Sequence, residues 1–327
     1  MELLNVSGIR VEEDGHPVLK GISFTQQEFQ KIAIAGETGS GKSTLLQTIA
    51  GFVQPAAGQV LFEEKRVIGP QEKLVPGHPG IAYLSQHFEL PKSLRVEQVL
   101  RYANTLSGEE AETLYEVCRI SHLLQRRTNQ LSGGEKQRIA MARLLISAPK
   151  LLLLDEPYSN LDTAHKNILK AIVRDIGERL DITCILISHD PQDTLSWADE
   201  ILVMKDGLVL QRGTPEHIYR QPLNEYIAAL FGSYNLLSPA QAKAFSLLPG
   251  IHMNGRSMLV RPENFRIEAE ERMAVKGTVR QVRFFGGHYE VEVQLPEAVI
   301  TLKTGERLIA AGHAIYISLS PDDVWYI

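Results

Sequence analysis

Lys31-Ile32-Ala33-Ile34-Ala35-Gly36-Glu37-Thr38-Gly39-Ser40-Gly41-Lys42-Ser43-Thr44-Leu45-Leu46-Gln47-Thr48-Ile49-Ala50 is the stretch whose reading decides the fold. An apolar, strand-like run feeds a glycine-rich turn, and the turn opens a helix-like segment. Glycines at 36, 39 and 41 let successive backbone N–H groups converge on phosphate oxygens, because they adopt conformations a side chain would forbid. Lys42 is then placed to reach β- and γ-phosphates, and the Ser43 hydroxyl takes a Mg²⁺ position. Thr44 continues into the helix, whose dipole and free N–H groups add to the attraction for anions.

Further along, Leu151-Leu152-Leu153-Leu154 ends on Asp155-Glu156, and Ile182-Thr183-Cys184-Ile185-Leu186-Ile187 ends on Ser188-His189. Both runs are continuously apolar, which marks strands covered on both faces of a mostly parallel sheet. Ile168, Leu169, Ile172, Val173, Ile176 and Leu180 repeat at helical spacing between them, so the segment is a strand-helix-strand unit. Ligands in such sheets bind at the carboxyl edge of the strands. Asp155 and Glu156 lie at that edge: an acid there can hold Mg²⁺, and its neighbour can polarise an attacking water. Taken alone, a strand ending in two solvated acids reads the same; the phosphate loop is what favours chemistry. His189 reaches the same edge, where an imidazole can bond a γ-phosphate or orient water, or serve as an ordinary polar terminus. Ser132-Gly133-Gly134, ahead of the helix-like run Glu135 to Ile146, reads as a capped helix start and equally as a second anion site.

The 327 residues, 44% hydrophobic and 22% charged, suffice for a full-sized core plus a smaller second domain. A formal net charge of -5 and the lack of a basic block argue against nucleic acid as a partner. No apolar run approaches the roughly 20 residues a membrane-spanning helix needs, and the N-terminus lacks a signal-peptide pattern. The chain is expected to stay in the cytoplasm. Cys118 and Cys184 lack metal-site spacing and read as buried small hydrophobes.

A hairpin, Ile201 to Met204 with Leu208 to Leu210, turns through Lys205-Asp206-Gly207. Thr214-Pro215 starts a helix, and a second helix around Glu225 to Leu230 ends near Phe231-Gly232, where the domain boundary is expected. Short alternating strands follow: 257–260, 274–285, 288–295, 298–302 and 313–319, with Gly286-Gly287 as a hairpin turn. They suggest a small β-barrel or sandwich of the oligonucleotide/oligosaccharide-binding (OB) type.

Five signals in order resemble the ATP-binding subunits of ABC transporters over about residues 1–232: Gly36 to Thr44; Gln86 in Tyr83-Leu84-Ser85-Gln86; Leu131-Ser132-Gly133-Gly134-Glu135 with Lys136-Gln137-Arg138; Asp155-Glu156-Pro157 with Ser159-Asn160-Leu161-Asp162; and His189. The fold class implied is α/β, a P-loop ATPase domain (1–232, helical subdomain about 87–147) followed by a small all-β, OB-like domain (233–327). Val260-Arg261-Pro262-Glu263-Asn264 and the strands after it resemble the accessory, TOBE-like β-domain of importer ATPases serving sugars, polyamines, ferric ion or oxyanions.

The resemblance implies ATP and Mg²⁺ as cofactors and ATP hydrolysis coupled to solute uptake. It implies a dimer closing head to tail, in which ATP on Gly36, Gly39, Ser40, Gly41, Lys42, Ser43 and Thr44 of one subunit is capped by Ser132, Gly133 and Gly134 of the other. Asp162 would link the two sites, Glu156 would be the general base, His189 the γ-phosphate contact, and Gln86 a contact to metal and water; Ser43, Gln86 and Asp155 would hold Mg²⁺. Partners implied are a second ATPase subunit, two membrane-spanning permease subunits and, indirectly, an extracytoplasmic solute-binding protein, with the chain peripheral on the inner face of the cell membrane. An exporter subunit would share every ATPase motif, and a soluble ABC-type ATPase acting on nucleic acid or ribosomes is the remaining alternative. Two departures stand out: Val11 to His16 carries no ring but His16 where many relatives stack an aromatic on adenine, implying loose base selectivity, and Glu135 replaces a frequent glutamine.

Overall fold

In the computed structural model, which describes residues 1–85, 90–159, 161–269 and 274–327, the chain forms two compact units, Met1–Pro215 and Glu216–Ile327. The first begins with β1 (Glu2–Glu13) and β2 (His16–Gln27), an antiparallel pair. Next come β3 (Lys31–Ala35), the phosphate-loop segment and α1 (Lys42–Ile49); β4 (Ala57–Phe62) and the short β5 (Lys65–Arg66) then complete an antiparallel sheet of order β2-β1-β4-β5. That sheet was not evident in the sequence. Irregularities in the β1–β2 register between Val6 and Ile9 break the two-residue alternation that would have announced it.

β6 (Ile81–Leu84) leads into three helices, α2 (Val96–Arg101), α3 (Gly108–Val117) and α4 (Gly133–Leu145). The chain returns through β7 (Leu151–Asp155), α5 (Thr163–Arg179), β8 (Thr183–Ile187), α6 (Pro191–Leu195) and the hairpin β9 (Glu200–Lys205) with β10 (Leu208–Gly213). Among the described residues the central sheet runs β10-β9-β3-β8-β7-β6, parallel except for β10 at its edge.

The continuous apolar strands are explained by what covers them. Leu152, Leu154, Cys184 and Leu186 face a core shared with α3, α4 and α5, whereas Leu151, Leu153, Ile185 and Ile187 face α1 and the antiparallel sheet. All four leucines of β7 are fully buried, each stabilising the fold by roughly 1.5–3 kcal/mol relative to exposure. One of the two covers is therefore a helix plus a second sheet, not helices alone. Cys118 and Cys184 are buried free thiols, and burial pushes both up to about 12.

The second unit contains α7 (Pro215–Arg220, entered from the last residue of the first unit), α8 (Glu225–Leu230), β11 (Asn235–Leu237), α9 (Pro239–Ala242) and β12 (Met258–Val260). It continues with β13 (Arg266–Glu268), β14 (Val275–Phe284), β15 (Tyr289–Gln294), β16 (Val299–Thr304), β17 (Ala314–Ser318) and β18 (Val324–Tyr326). Two antiparallel sheets, β11-β12-β18 and β13-β17-β14-β15-β16, supply its apolar core.

The units divide after Pro215, not at the expected 232, and a buried cation explains why. Arg261, 3% exposed, donates to the carbonyls of Tyr219 (3.2 Å), Ala228 (2.9 Å), Gly232 (3.0 Å) and Ser233 (3.1 Å), and stacks 4.2 Å over the Tyr219 ring. The two helices that looked like the tail of the ATPase region thus pack with the β-domain.

Candidate active site

The loop after β3 is shaped by close backbone contacts. A Cβ on Gly36 (φ 155°) would lie 2.3 Å from the Met204 carbonyl oxygen, and one on Gly41 (φ 95°) would lie 2.9 Å from Leu19 and 3.0 Å from the Val18 carbonyl oxygen. Only glycine fits between the β9–β10 hairpin, β2 and the loop. Gly39 (φ 83°) sits at the exposed crest, with nothing within 4 Å of its Cβ position.

Lys42, the first residue of α1, is buried, and its Nζ donates to Gly36 O (2.8 Å), Glu37 O (2.7 Å) and Ser40 Oγ (3.2 Å). Burial draws its pKa below the ordinary lysine value, opposed by the charges of Glu156, Asp155 and Glu37. Ser43 Oγ donates to Asp155 Oδ1 at 3.1 Å, which joins the loop to the end of β7. Thr44 lies half-buried one residue on, its carbonyl accepting from Thr48 Oγ1.

Sequence reasoning missed Tyr83. Its hydroxyl donates to Asp155 Oδ2 at 2.8 Å and accepts from Gln47 Nε2 at 3.3 Å. Burial, with Asp155 beside it, raises the phenol above its ordinary pKa, so it stays a donor. Its signal was slight: a polar tip on an otherwise apolar strand.

Glu156 follows in the left-handed region (φ 48°), a conformation costing a non-glycine residue about 1 kcal/mol. Its N–H donates to Ile187 O (3.1 Å), while its carbonyl accepts from Ser159 N (3.2 Å) and Ser159 Oγ (2.9 Å). Strain of this kind persists where neighbours over-determine it, often at functional positions. Here the turn sends the carboxylate toward the end of β8, where His189 Nδ1 stands 3.3 Å from Glu156 Oε2. Both line a cavity of about 390 Å³, with Tyr158, Lys166, Ser188 and Asp193.

Ser132, Gly133, Gly134 and Asp162 form a second cluster. Ser132 caps α4: its Oγ accepts from Glu135 N, and the Glu135 carboxylate accepts from Ser132 N at 2.8 Å. Ser132 and Gly133 are exposed. Asp162 caps α5 by accepting from His165 N (2.9 Å), with His165 Nδ1 2.6 Å from its other oxygen. A Cβ on Gly134 would meet the His165 ring at 2.6 Å, so the starts of α4 and α5 touch. Gln137 Nε2 donates to Pro157 O, tying α4 to the chain just past Glu156. Gln86 lies outside the described residues.

The donors around Ser43 fit Mg²⁺, which takes hard oxygen ligands from one or two carboxylates together with substrate phosphates. A hydroxyl and a carboxylate 3.1 Å apart are such donors. Among the described residues no group of three or more His, Cys, Asp or Glu could form an all-protein metal cage.

The chain matches the ABC transporter family over residues 19–159 and the TOBE domain over residues 258–327. It is 31% identical to the spermidine/putrescine import ATP-binding protein PotA of Spiroplasma citri, covering 98% of this chain and 96% of that protein. It is also 31% identical to the sulfate/thiosulfate import ATP-binding protein CysA of Synechocystis sp., covering 91% and 88%. Among solved structures it resembles cbiO1 of Clostridium perfringens, part of the ABC transporter complex cbiONQ (28% identity, TM-score 0.58, 66% of this chain and 90% of that one). The ADP conformation of MJ1267, an ATP-binding cassette of an ABC transporter, shares the fold (24% identity, TM-score 0.60, 71% and 98%). With relatives matched along nearly their whole length and both family models in chain order, the chain belongs to the ABC transporter family, as an ATP-hydrolysing import subunit with a C-terminal TOBE domain.

Proposed function

We propose that this import ATPase, which acts in a complex with membrane subunits, works as a head-to-tail dimer and that its two clusters of site residues are halves of one composite site. Lys42 and the backbone of Gly36 to Ser43 take the β- and γ-phosphates, with Gly39, Ser40 and Thr44 in the same cradle. Ser43 and Asp155, with Gln86, hold Mg²⁺, which when bound neutralises charge on the β- and γ-oxygens. Glu156 accepts the proton of the attacking water, and His189 donates to the γ-phosphate. Ser132, Gly133 and Gly134 of the second subunit offer an exposed helix start to the same phosphate, and Asp162 carries the contact across the interface.

The observation supporting this reading most directly is the Glu156–His189 pair at 3.3 Å beside the Ser43–Asp155 contact. ATP closes the dimer only because the closed form touches the γ-phosphate from both sides, a differential affinity that hydrolysis removes. The partners are two membrane-spanning permease subunits and an extracytoplasmic binding protein, with this chain on the cytoplasmic face. Polyamine and sulfate import proteins match this chain at the same 31% identity, as expected if cargo is chosen by the other subunits.

The test is Glu156→Gln in the full chain. It should retain ATP binding, lose turnover by at least about 100-fold, and shift to a dimer in ATP on light scattering. Wild-type turnover would remove Glu156 as the base, and a nucleotide-indifferent monomer would remove the composite site.

A further inference from the structure

Asp193 is a buried carboxylate that the reaction as described does not use. It sits in α6, just past His189, with its side chain 1% exposed. Its Oδ2 accepts from Ser188 Oγ at 2.9 Å and lies 3.1 Å from Lys166 Nζ. Lys170 Nζ approaches Oδ1 to 2.5 Å as an ion pair, off the hydrogen-bonding direction. Ser188 Oγ in turn accepts from Asp190 N at 3.2 Å, so Ser188 bridges the turn whose middle residue is His189. Lys166 also pairs with Asp190, which caps α6 through Gln192 N at 2.9 Å.

Both lysines belong to α5, the helix capped by Asp162 and touched by Gly134 of α4 through His165. A carboxylate with two ammonium partners in so buried a place is kept only if fully paired, since losing a partner leaves a charge uncompensated. Such a cluster fixes one arrangement of the segments it joins. The segments here are the histidine turn and the first turns of α5.

We propose that Asp193, through Ser188, Lys166 and Lys170, is a positioning residue that holds His189 at its place opposite Glu156 and ties that place to the helix beginning at Asp162. The inference rests on the role given to His189 above. Asp193 acts by keeping the Ser188-His189-Asp190 turn in one geometry, so its loss slows turnover without weakening the phosphate cradle. A misplaced catalytic group lowers kcat and leaves ground-state binding alone.

The experiment is a double-mutant cycle on the full-length chain with MgATP, using Asp193→Asn, His189→Ala and both together, with kcat, KM for ATP and the thermal midpoint measured for each. Asp193→Asn should lower kcat about ten-fold or more with KM within about two-fold, and should lower it no further in the His189→Ala background. Unchanged kcat in folded Asp193→Asn, losses that multiply in the double variant, or a rise in KM at constant kcat would each overturn the proposal. If Asp193→Asn does not melt cooperatively, Lys166→Gln, at a less buried position, takes its place in the same cycle with the same expectations. A His189→Ala variant as active as wild type would bring down the His189 assignment and this proposal with it; a slow His189→Ala beside an active Asp193→Asn would bring down this proposal alone.

Discussion

Lys42 is a buried ammonium satisfied by carbonyls of its own loop, so the loop is held in shape by the same cation proposed to bind the phosphates. Charge-assisted hydrogen bonds contribute about 1.5–3 kcal/mol each, so Lys42→Ala should weaken ATP affinity about ten- to one-hundred-fold by titration calorimetry. Affinity equal to wild type would contradict the cradle assignment. Lys42, Ser43, Asp155, Glu156 and His189 were legible as candidates in the sequence because each occupies a fixed offset from a strand end, and the strand ends were marked by apolar runs. Tyr83, Ser188 and Asp193 were not, because their roles come from partners and not from their own surroundings. Tyr83 meets Asp155 across 72 residues of sequence, and Ser188 and Asp193 gain meaning only once Lys166 arrives from another helix.

The start of α4 shows what one element contributes. Ser132 and Glu135 satisfy each other's backbone N–H groups, an arrangement whose loss typically costs about 1 kcal/mol. Ser132→Ala should therefore lower the stability of the first unit by about that amount in chemical denaturation. The Glu135 carboxylate is held below its ordinary pKa, chiefly by the Ser132 N–H. A depressed carboxylate contributes stability in full above its unfolded pKa, near about 4.3, and the contribution fades as pH falls through the lower native value. Melting followed from about pH 6 down to about pH 3 should show a steeper acid loss in wild type than in Glu135→Gln; parallel curves would mean that the cap contributes nothing. The pattern Ser-x-x-Glu displays this cap in the sequence, whereas the contact of Gly134 with His165 of α5 requires the fold.

Taken as a whole, the molecule is two compact units joined at Pro215, and Arg261 decides which side α7 and α8 belong to. Arg261→Met strips a donor from four carbonyls and should destabilise the second unit by about 3 kcal/mol. Calorimetry should show a lowered transition for that unit while ATP affinity stays unchanged; a shift of the first unit's transition instead would place the two helices with the ATPase core. The boundary expected at 232 followed the change from helical to strand-like patterning, and patterning does not reveal the partners of a buried cation 28 to 42 residues away. By itself the sequence determined the local chemistry: a glycine loop between strand and helix, acids and a histidine at strand ends, a capped helix, and a run of short strands. Those follow from backbone sterics and apolar periodicity, which act within a few residues. Tertiary structure alone decided that an antiparallel sheet covers one face of the parallel one, that Ser43 meets Asp155 and Glu156 meets His189, and that Lys166 and Lys170 of α5 meet Asp193, because each is a contact between separate segments of the chain that forms only when burial of both partners offsets the entropy of bringing them together.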